Sequence, residues 1–331
     1  MRRLVAGILP ILLLAVGFCP ITHLNSQKAT SLSLEAPATA ASAKTAEGVY
    51  LLVGVDKASY SADVMMLVRV ESDRLSFLQI PRDSLTADGR RLNTHFAAAC
   101  VKAKNEGKSD REAYAVGGKV LAERLGEAFG VTVKAHATLT LSALSTLIDA
   151  IGGVTLTLPC ALDYVDPEQG LTIHLKAGEQ HLDGAAAEGL VRCRNAYPDA
   201  DYGRMRAQRL LIGAVFDKLR QNFSPLSLLS LFRRAYGEVE TDLSFGDALP
   251  LLKQLSGKGA MALRFATVCG STMRVGKAAV EVLAEETLHD AVAYLGGTWT
   301  PTACQKLFFY HSQESQTLYF SKTPPPFIIS E

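Results

Sequence analysis

Five arginines are concentrated in one short stretch of the chain, from Arg192 to Arg209. A planar guanidinium can donate two parallel hydrogen bonds to phosphate oxygens, so clustered arginines favour a phosphate ligand. For any single arginine the alternative is a solvated, charged loop, because long charged side chains are usually exposed. The clustering predicts a phosphate-binding segment.

The spacing indicates which of these side chains act together. If residues 190–194 form a strand, the two arginines in it point to the same face. If a helix begins near Asp201, Arg204 and Gln208 lie one turn apart on one face, and Arg206 faces away from it. Arg206 and Arg209 are then expected to be solvated neighbours. The side chains expected to bind the phosphate are Arg192, Arg194, Arg204 and Gln208.

Two aspartates and another arginine follow or precede predicted strands. The apolar run 49–55 has the pattern of a strand buried on both faces, and it ends in Asp56. Pro81 ends a later strand, which places Arg82 at the strand end, where α/β folds bind ligands. Magnesium takes oxygen ligands and usually one or two carboxylates beside substrate phosphates, a role that Asp56 and Asp63 suit. Ordinary turn chemistry is the alternative for both aspartates.

The elements that must position these residues alternate between strands and helices. Strands are predicted over 49–55, 64–70, 75–80, 154–158 and 171–175, and helices over 111–129, 141–151 and 205–221. Residues 64–80 form a hairpin, and Gly152-Gly153 closes the second helix. Interleaved strands and helices indicate an α/β sandwich with a mixed central sheet.

The composition limits the class of protein. The chain has 331 residues, of which 48% are hydrophobic, so it can bury a large core and is not disordered. Its formal net charge is +1. A nearly neutral chain has no overall field to recruit nucleic acid, and its basic residues matter only where they cluster. We therefore expect no nucleic-acid partner.

The first residues have the pattern of a membrane anchor. Met1-Arg2-Arg3 precedes an uncharged run over 4–21, about 18 residues long, which is near the length of a bilayer-crossing helix. The preceding arginines predict a cytoplasmic N-terminus and an extracytoplasmic globular part. A cleaved signal peptide is the alternative, but Ala41-Ser42-Ala43 lies about twenty residues beyond the apolar run. An uncleaved single-pass anchor in the cell membrane is favoured.

Four segments follow from these patterns. They are a cytoplasmic end and membrane anchor over 1–21, a flexible linker rich in Ala, Ser and Thr over 22–47, a globular domain over 48–222, and a C-terminal helical extension and tail over 223–331. Within the extension, helices are predicted over 225–236, 248–255 and 277–295. A disulfide between Cys269 and Cys304 is expected, and the lack of a C-x-x-C spacing disfavours thiolate metal binding.

Taken in order, the motifs of residues 48–221 resemble those of the LytR-CpsA-Psr family. The segments that carry the resemblance are Gly54-Val55-Asp56, Ser61-Ala62-Asp63, Ile80-Pro81-Arg82-Asp83, Arg91-Leu92-Asn93, Ile148-Asp149-Ala150-Ile151-Gly152-Gly153-Val154, Gly178-Glu179-Gln180-His181-Leu182-Asp183-Gly184, Val191-Arg192-Cys193-Arg194 and Asp201-Tyr202-Gly203-Arg204. The set is specific, although each piece alone is weak. The resemblance implies an α-β-α fold and a membrane-anchored, extracytoplasmic enzyme of Gram-positive type that transfers an anionic glycopolymer from a polyprenyl-pyrophosphate carrier to peptidoglycan.

The resemblance also implies roles for single residues. The residues expected to bind the pyrophosphate are Arg82, Arg192, Arg194, Arg204, Gln208 and Asn93, those expected to hold Mg²⁺ are Asp56 and Asp63, and those expected to be catalytic are Arg82, Asp63, Arg192 and Arg194. The chemistry agrees, because a pyrophosphate in a pocket needs cationic groups and a hard divalent cation. Asp63 or Asp83 is a candidate base, and Asp83 alternatively orients Arg82 through an ion pair.

The carrier's lipid tail requires an apolar channel. Its candidate wall residues, which a closed core would explain equally well, are Leu141, Leu144, Leu147, Ile148, Val154, Leu156, Leu211 and Phe216. The chain departs from the family pattern at Ser61 and Ala207, where arginines are often found. A lipid-binding or envelope-regulating protein without turnover and a lipid pyrophosphatase therefore stay open as alternatives.

Overall fold

The computed structural model describes residues 47–57, 59–167, 171–194, 196–222, 239–243, 261–312, 317–319 and 328–330. The strands are β1 (Gly48–Asp56), β2 (Ser61–Val70), β3 (Arg74–Gln79), β4 (Val133–Thr140), β5 (Val154–Leu158), β6 (Leu162–Asp166), β7 (Leu171–Leu175), β8 (Gly178–Leu182), β9 (Val239–Thr241), β10 (Ala262–Thr267), β11 (Gly270–Val275), β12 (Ala278–Leu283), β13 (Tyr310–Ser312), β14 (Thr317–Tyr319) and β15 (Ile328–Ser330). The helices are α1 (Leu92–Asn105), α2 (Asp110–Phe129), α3 (Leu141–Ala150), α4 (Gly184–Arg192), α5 (Asp201–Asn222), α6 (Glu285–Leu295) and α7 (Pro301–Phe308).

A mixed seven-stranded sheet, in the order β15-β10-β3-β2-β1-β4-β9, forms the centre of the described residues. β1 is parallel to β4, β3 is parallel to β10, and the remaining neighbours are antiparallel. The predicted hairpin of β2 and β3 is confirmed. Because β1, β3 and β4 run in one direction and β2 in the other, the ends of β1, β3 and β4 and the start of β2 share one edge of the sheet.

The sheet is buried on both faces. In β1, Tyr50 belongs to the core under α3, α4 and α5, whereas Leu51 belongs to the core under α1, α2, α6 and α7. Successive side chains of a strand point to opposite faces, so an uninterrupted apolar run can supply both cores. The fold is therefore an α-β-α sandwich with a mixed central sheet, as predicted.

The helices next to the sheet begin and end at recognisable signals. Ser109 caps α2 in a capping box with Glu112, and Gly130, with φ of 61°, ends that helix in the left-handed conformation. Thr140 caps α3 by accepting a hydrogen bond from the Ala143 amide. Asp183 caps α4 in the same way. Local sequence thus sets where the helices start.

The C-terminal part differs from the prediction. Residues 277–295 do not form one helix, because Ala278–Leu283 is strand β12, paired with β11, and α6 begins only at Glu285. Val280 and Val282 lie two positions apart in one small apolar cluster with Leu85, and such β-branched residues favour a strand. In addition, β9, β10 and β15 complete the central sheet, so the sandwich does not stop at residue 222. The helices predicted over 225–236 and 248–255 lie outside the described residues.

The expected disulfide between Cys269 and Cys304 is wrong. The Cys269 thiol donates to the Thr267 carbonyl at 3.4 Å, and the Cys304 thiol donates to the Ala128 carbonyl at 2.9 Å. Their common position in the C-terminal part of the sequence did not place them together. The free thiols of the described ranges are Cys100, Cys160, Cys193, Cys269 and Cys304.

The predicted anchor over 4–21 lies outside the described residues. Within the described ranges, none of the helices combines the length and the apolar character that crossing a bilayer requires.

Two helical glycines provide a matched test of the packing. An ideal Cβ at Gly118 of α2 would overlap the ring of His136 on β4, whereas one at Gly213 of α5 would meet no atom within 4 Å. We expect Gly118→Ala to lower the free energy of unfolding by about 1–3 kcal/mol through overpacking. Gly213→Ala should raise it by about 0.5–1 kcal/mol, because alanine favours the helix. Urea unfolding of the two variants checks this, and equal effects would contradict the close packing of α2 on β4.

Candidate functional site

A cavity of about 290 Å³ lies at the sheet edge where β1, β3 and β4 end and β2 begins. Its polar lining consists mainly of Asp56, Asp63, Arg82, Arg192, Arg194, Arg204 and Gln208. Its apolar lining includes Leu52, Val64, Met66, Leu139, Leu141, Leu144, Tyr164, Leu171, Val191, Leu211, Ile212 and Val215. The structure thus brings together all the predicted site residues except Asn93. An amphiphilic molecule with an anionic group suits such a cavity.

Asp63, the third residue of β2, contacts two arginines. One is Arg82, which follows β3, and the other is Arg204 on α5. Its carboxylate is paired with the Arg82 guanidinium, and it accepts a hydrogen bond from the Ser61 hydroxyl at 3.1 Å. Its backbone carbonyl accepts from Nη2 of Arg204 at 3.3 Å. Asp63 therefore fixes the relative position of two cationic side chains.

Arg82 follows the end of β3, where Pro81 stops the strand. Nε of Arg82 lies 3.6 Å from Oδ2 of Asp83, whose other oxygen lies 3.3 Å from Nη1 of Arg91. Burial alone would lower the pKa of Arg82, but Asp63 and Asp83 raise it above its ordinary value. The predicted ion pair between Asp83 and Arg82 is present, and Asp83 does not belong to the cavity lining.

Arg204 lies in the first turn of α5 and is only 4% exposed. Its Nη2 lies 2.6 Å from Oδ1 of Asp201. Burial lowers the pKa of Arg204, while Asp201 opposes that shift, and burial likewise raises the pKa of Asp201. Nε of Arg204 is buried without a hydrogen-bond acceptor, as is Nε of Arg82. A buried donor without an acceptor is destabilising, so the Arg204 guanidinium is held here at a cost to stability.

Arg192 and Arg194 reach the cavity from the end of α4. The strand considered for residues 190–194 is wrong, because α4 continues through Arg192. Helix formers after the Asp183 cap extend the helix into the arginine motif. Arg192 pairs with Glu188 one turn earlier at 3.2 Å, and Arg194 follows beyond the helix.

The carboxamide of Gln208 is held by two neighbours. Its Nε2 donates to the carbonyl of Val191 at 3.4 Å, and its Oε1 accepts from Nε2 of Gln79 at 3.4 Å. Gln79, at the end of β3, also donates to the carbonyl of Met205 at 3.0 Å. Sequence reasoning missed Gln79, although a glutamine inside an apolar strand signals a buried hydrogen-bond network.

The remaining arginines of α5 have different environments. Arg206 is exposed and paired with Asp199, as expected for a solvated neighbour. Arg209 is only 8% exposed, and it donates to the Thr267 hydroxyl on β10 at 3.2 Å. The expectation that Arg209 is solvated is therefore wrong, because this position of α5 faces the sheet.

Asn93 is the predicted binding residue that the structure keeps away from the cavity. It lies in the first turn of α1 and donates to the Ser61 hydroxyl at 3.3 Å. Since Ser61 donates to Asp63, Asn93 acts on the cavity through two hydrogen bonds. Ser61 and Asn93, which do not line the cavity, thus help to orient the Asp63 carboxylate.

The predicted channel residues fall into two groups, those that line the cavity and those that do not. Leu141, Leu144 and Leu211 line the cavity. The other candidates lie in the closed core of the α3, α4 and α5 layer, and they are Leu147, Ile148, Val154, Leu156 and Phe216. The two groups differ in their position relative to the sheet edge. Apolar periodicity in the sequence does not reveal that position.

Asp56 and Asp63 are the two carboxylates of the cavity lining. In the described part of the chain, no group of three or more His, Cys, Asp or Glu side chains is arranged to hold a metal ion. A protein-only metal cage is therefore not available among these residues. A pair of carboxylates that shares a cation with phosphate oxygens matches the usual coordination of Mg²⁺.

Known proteins share this fold and parts of this sequence. TagV of Bacillus subtilis, named a polyisoprenyl-teichoic acid–peptidoglycan teichoic acid transferase, is 23% identical over 222 residues, which cover 65% of this chain and 53% of TagV. Biofilm regulatory protein A of Streptococcus mutans is 26% identical over 244 residues, with coverages of 63% and 56%. The solved structure of TagT bound to LIIa-WTA has a TM-score of 0.56 at 20% identity and covers 76% of this chain and 90% of TagT.

The chain spans between half and two thirds of the length of these two sequence relatives. The sequence model of the LytR_cpsA_psr family matches residues 21–293, which is most of the chain. This protein therefore belongs to the LytR_cpsA_psr family.

Proposed function

We propose that this protein transfers an anionic glycopolymer from a polyprenyl-pyrophosphate carrier to peptidoglycan. The observation that carries the proposal is a single cavity with four arginines at one end and apolar walls along the rest. A pyrophosphate attached to a lipid has the same division into a charged and an apolar part. The name of TagV and the description of TagT as bound to LIIa-WTA support this choice of donor and acceptor.

The proposed reaction is a phosphoryl transfer. A hydroxyl of peptidoglycan attacks the phosphorus next to the polymer, and an oxygen–phosphorus bond forms there. The bond from that phosphorus to the bridging oxygen breaks, polyprenyl phosphate leaves with the electron pair, and the hydroxyl proton passes to a base. Asp63 is already paired with Arg82, and Asp83 is outside the cavity lining, so neither is assigned as that base.

Arginines stabilise the charge that accumulates on the phosphate oxygens. Arg82 and Arg204 are held by Asp63 before any ligand binds, so they need little reorganisation. Arg192 and Arg194 line the same cavity and come from the end of α4. Apolar walls exclude water and strengthen these electrostatic interactions.

Magnesium fits the residues present. Asp56 and Asp63 would hold the ion, because both line the cavity and two carboxylates leave coordination positions for phosphate oxygens. The ion would supply positive charge beside the pyrophosphate and help to neutralise its oxygens. Under this proposal the protein acts outside the cell, tethered to the membrane by residues 4–21.

An activity assay can test the proposed roles of the arginines and of Asp63. With a lipid-pyrophosphate oligosaccharide, peptidoglycan oligomers and Mg²⁺, we expect Arg192→Ala and Asp63→Ala to lower the release of polyprenyl phosphate at least about a hundredfold, as for other removed charge-stabilising groups. Arg206→Ala is the matched control, because Arg206 is an exposed arginine near the same site. Its rate should stay within about twofold of the wild-type rate.

The same assay separates the alternatives. Release that does not require peptidoglycan would identify a lipid pyrophosphatase. Tight lipid binding without release would identify a lipid-binding or regulatory protein, a role suggested by the name of the Streptococcus mutans relative. Either result would contradict the proposed transfer.

A substitution in the apolar wall tests the lipid part of the proposal. We expect Leu144→Trp to weaken binding of a long-chain polyprenyl pyrophosphate about tenfold, because the indole ring fills space that the lipid chain would occupy. Binding of inorganic pyrophosphate should not change, because the arginines are intact. Val101→Trp, at a position 46% exposed on α1, is the control. Calorimetric titrations would refute the lipid site if both ligands responded equally to Leu144→Trp.

The metal proposal has a readout that does not require turnover. We expect Mg²⁺ to raise the melting temperature of EDTA-treated protein in a concentration-dependent way, because a bound ion stabilises the folded state. Asp56→Ala should remove most of this rise by deleting one of the two carboxylates. Asp290→Ala, on the exposed surface of α6, should leave it intact. An undiminished rise in Asp56→Ala would exclude Asp56 as a ligand.

A further inference from the structure

Glu281 joins two segments that carry the arginines of the cavity, although it does not line the cavity itself. It lies on β12 and is 7% exposed. Its backbone amide donates to the Asp83 carbonyl at 2.8 Å, and its carbonyl accepts from the Leu85 amide at 2.7 Å. The segment that follows Arg82 is therefore hydrogen-bonded to both the backbone amide and the backbone carbonyl of Glu281.

The side chain of Glu281 reaches the other segment. Its Oε1 accepts a hydrogen bond from the Tyr202 hydroxyl at 2.7 Å, and its Oε2 accepts from the Thr272 hydroxyl at 3.0 Å. Tyr202 lies in the first turn of α5, two residues before Arg204. The Tyr202 hydroxyl also accepts from the Gly270 amide at 3.2 Å. Glu281 thus connects the start of α5 with the loop that follows β3.

A carboxylate at this position is unfavourable on its own. Burial raises the pKa of Glu281, and the nearby Asp201 and Asp83 raise it further, while Tyr202 and Thr272 oppose the shift. Apolar packing between β12 and α5 would avoid the desolvation of an acid. The directional hydrogen bonds of Glu281 to Tyr202 and Thr272 therefore explain the presence of a glutamate at this position better than fold stability does.

We propose that Glu281, through Tyr202, is a positioning residue that holds Arg204 at the distance from Arg82 at which both guanidiniums bind one pyrophosphate. This inference rests on the proposed function. Asp63 contacts both guanidiniums directly, whereas Glu281 connects the backbone that follows Arg82 with the side chain of Tyr202, two residues before Arg204. Like charges repel, so two bridges keep the pair together better than one.

The test uses the full-length protein and farnesyl pyrophosphate as a soluble amphiphilic probe. We expect Glu281→Leu, which has no acceptor, and Tyr202→Phe, which has no donor, each to raise the dissociation constant about tenfold, as for the loss of a hydrogen bond to a charged group. The double variant should be no weaker than either single variant, because both remove the contact between Tyr202 and Glu281. Glu286→Leu, at an exposed position in the first turn of α6, is the control and should bind as the wild type does.

Melting temperatures separate positioning from simple stability. All titrations are made well below the lowest melting temperature, so that every variant is folded. A lowered melting temperature with dissociation constants within twofold of the wild-type value would overturn the proposal. Additive effects of the two substitutions would also overturn it, because they would show that Tyr202 and Glu281 act separately.

A structural measurement keeps this inference distinct from the proposed function. If the wild-type protein bound no farnesyl pyrophosphate, the proposed donor would be wrong. The crystal structure of Glu281→Leu would then decide the positioning role. Loss of the 3.3 Å contact between Nη2 of Arg204 and the Asp63 carbonyl supports it, and an unchanged contact overturns it.

Discussion

Repulsion between arginines is the constraint on which the site depends. Four guanidinium groups line one end of a cavity that is otherwise mostly apolar, where like charges interact strongly. Three of them have a carboxylate beside them: Arg82 has Asp63, Arg192 has Glu188 and Arg204 has Asp201. Arg194 has no ion-pair partner in the described part of the chain. These acids offset part of the repulsion between the arginines.

The sheet determines which residues meet at that end. Asp56 ends β1, Asp63 begins β2 and Arg82 follows β3, so the strand directions bring three distant motifs to one edge. α5 contributes both polar and apolar side chains to the cavity lining. The polar residues of its lining come first and the apolar ones follow, in the order Arg204, Gln208, Leu211, Ile212 and Val215. A helix with 3.6 residues per turn places these positions on one face, so one element covers the change from charged to apolar lining.

Local patterns predicted the parts of the fold that depend on local forces. The apolar run of β1, the β2–β3 hairpin and the helical face shared by Arg204 and Gln208 all follow from periodicity. Tertiary context decided the rest. Arg209 is charged yet buried, because its helix position faces β10 and Thr267 accepts its hydrogen bond. Similarly, Glu281 and Gln79 are polar residues whose partners lie 79 and 126 positions away, which one sequence cannot reveal.

The two departures from the family pattern occupy defined places in this structure. Ser61 donates to Asp63 and accepts from Asn93, so a small hydroxyl orients the aspartate where the motif resemblance leads us to expect a cation. Ala207 is buried in the core under α5, and an arginine in the same orientation would bring an unpaired charge into apolar surroundings. Both positions are therefore consistent with a folded site that uses fewer cations. Under the proposed function, the remaining arginines bind the pyrophosphate without a cation at either position, which increases the importance of holding Arg82 and Arg204 at a fixed separation.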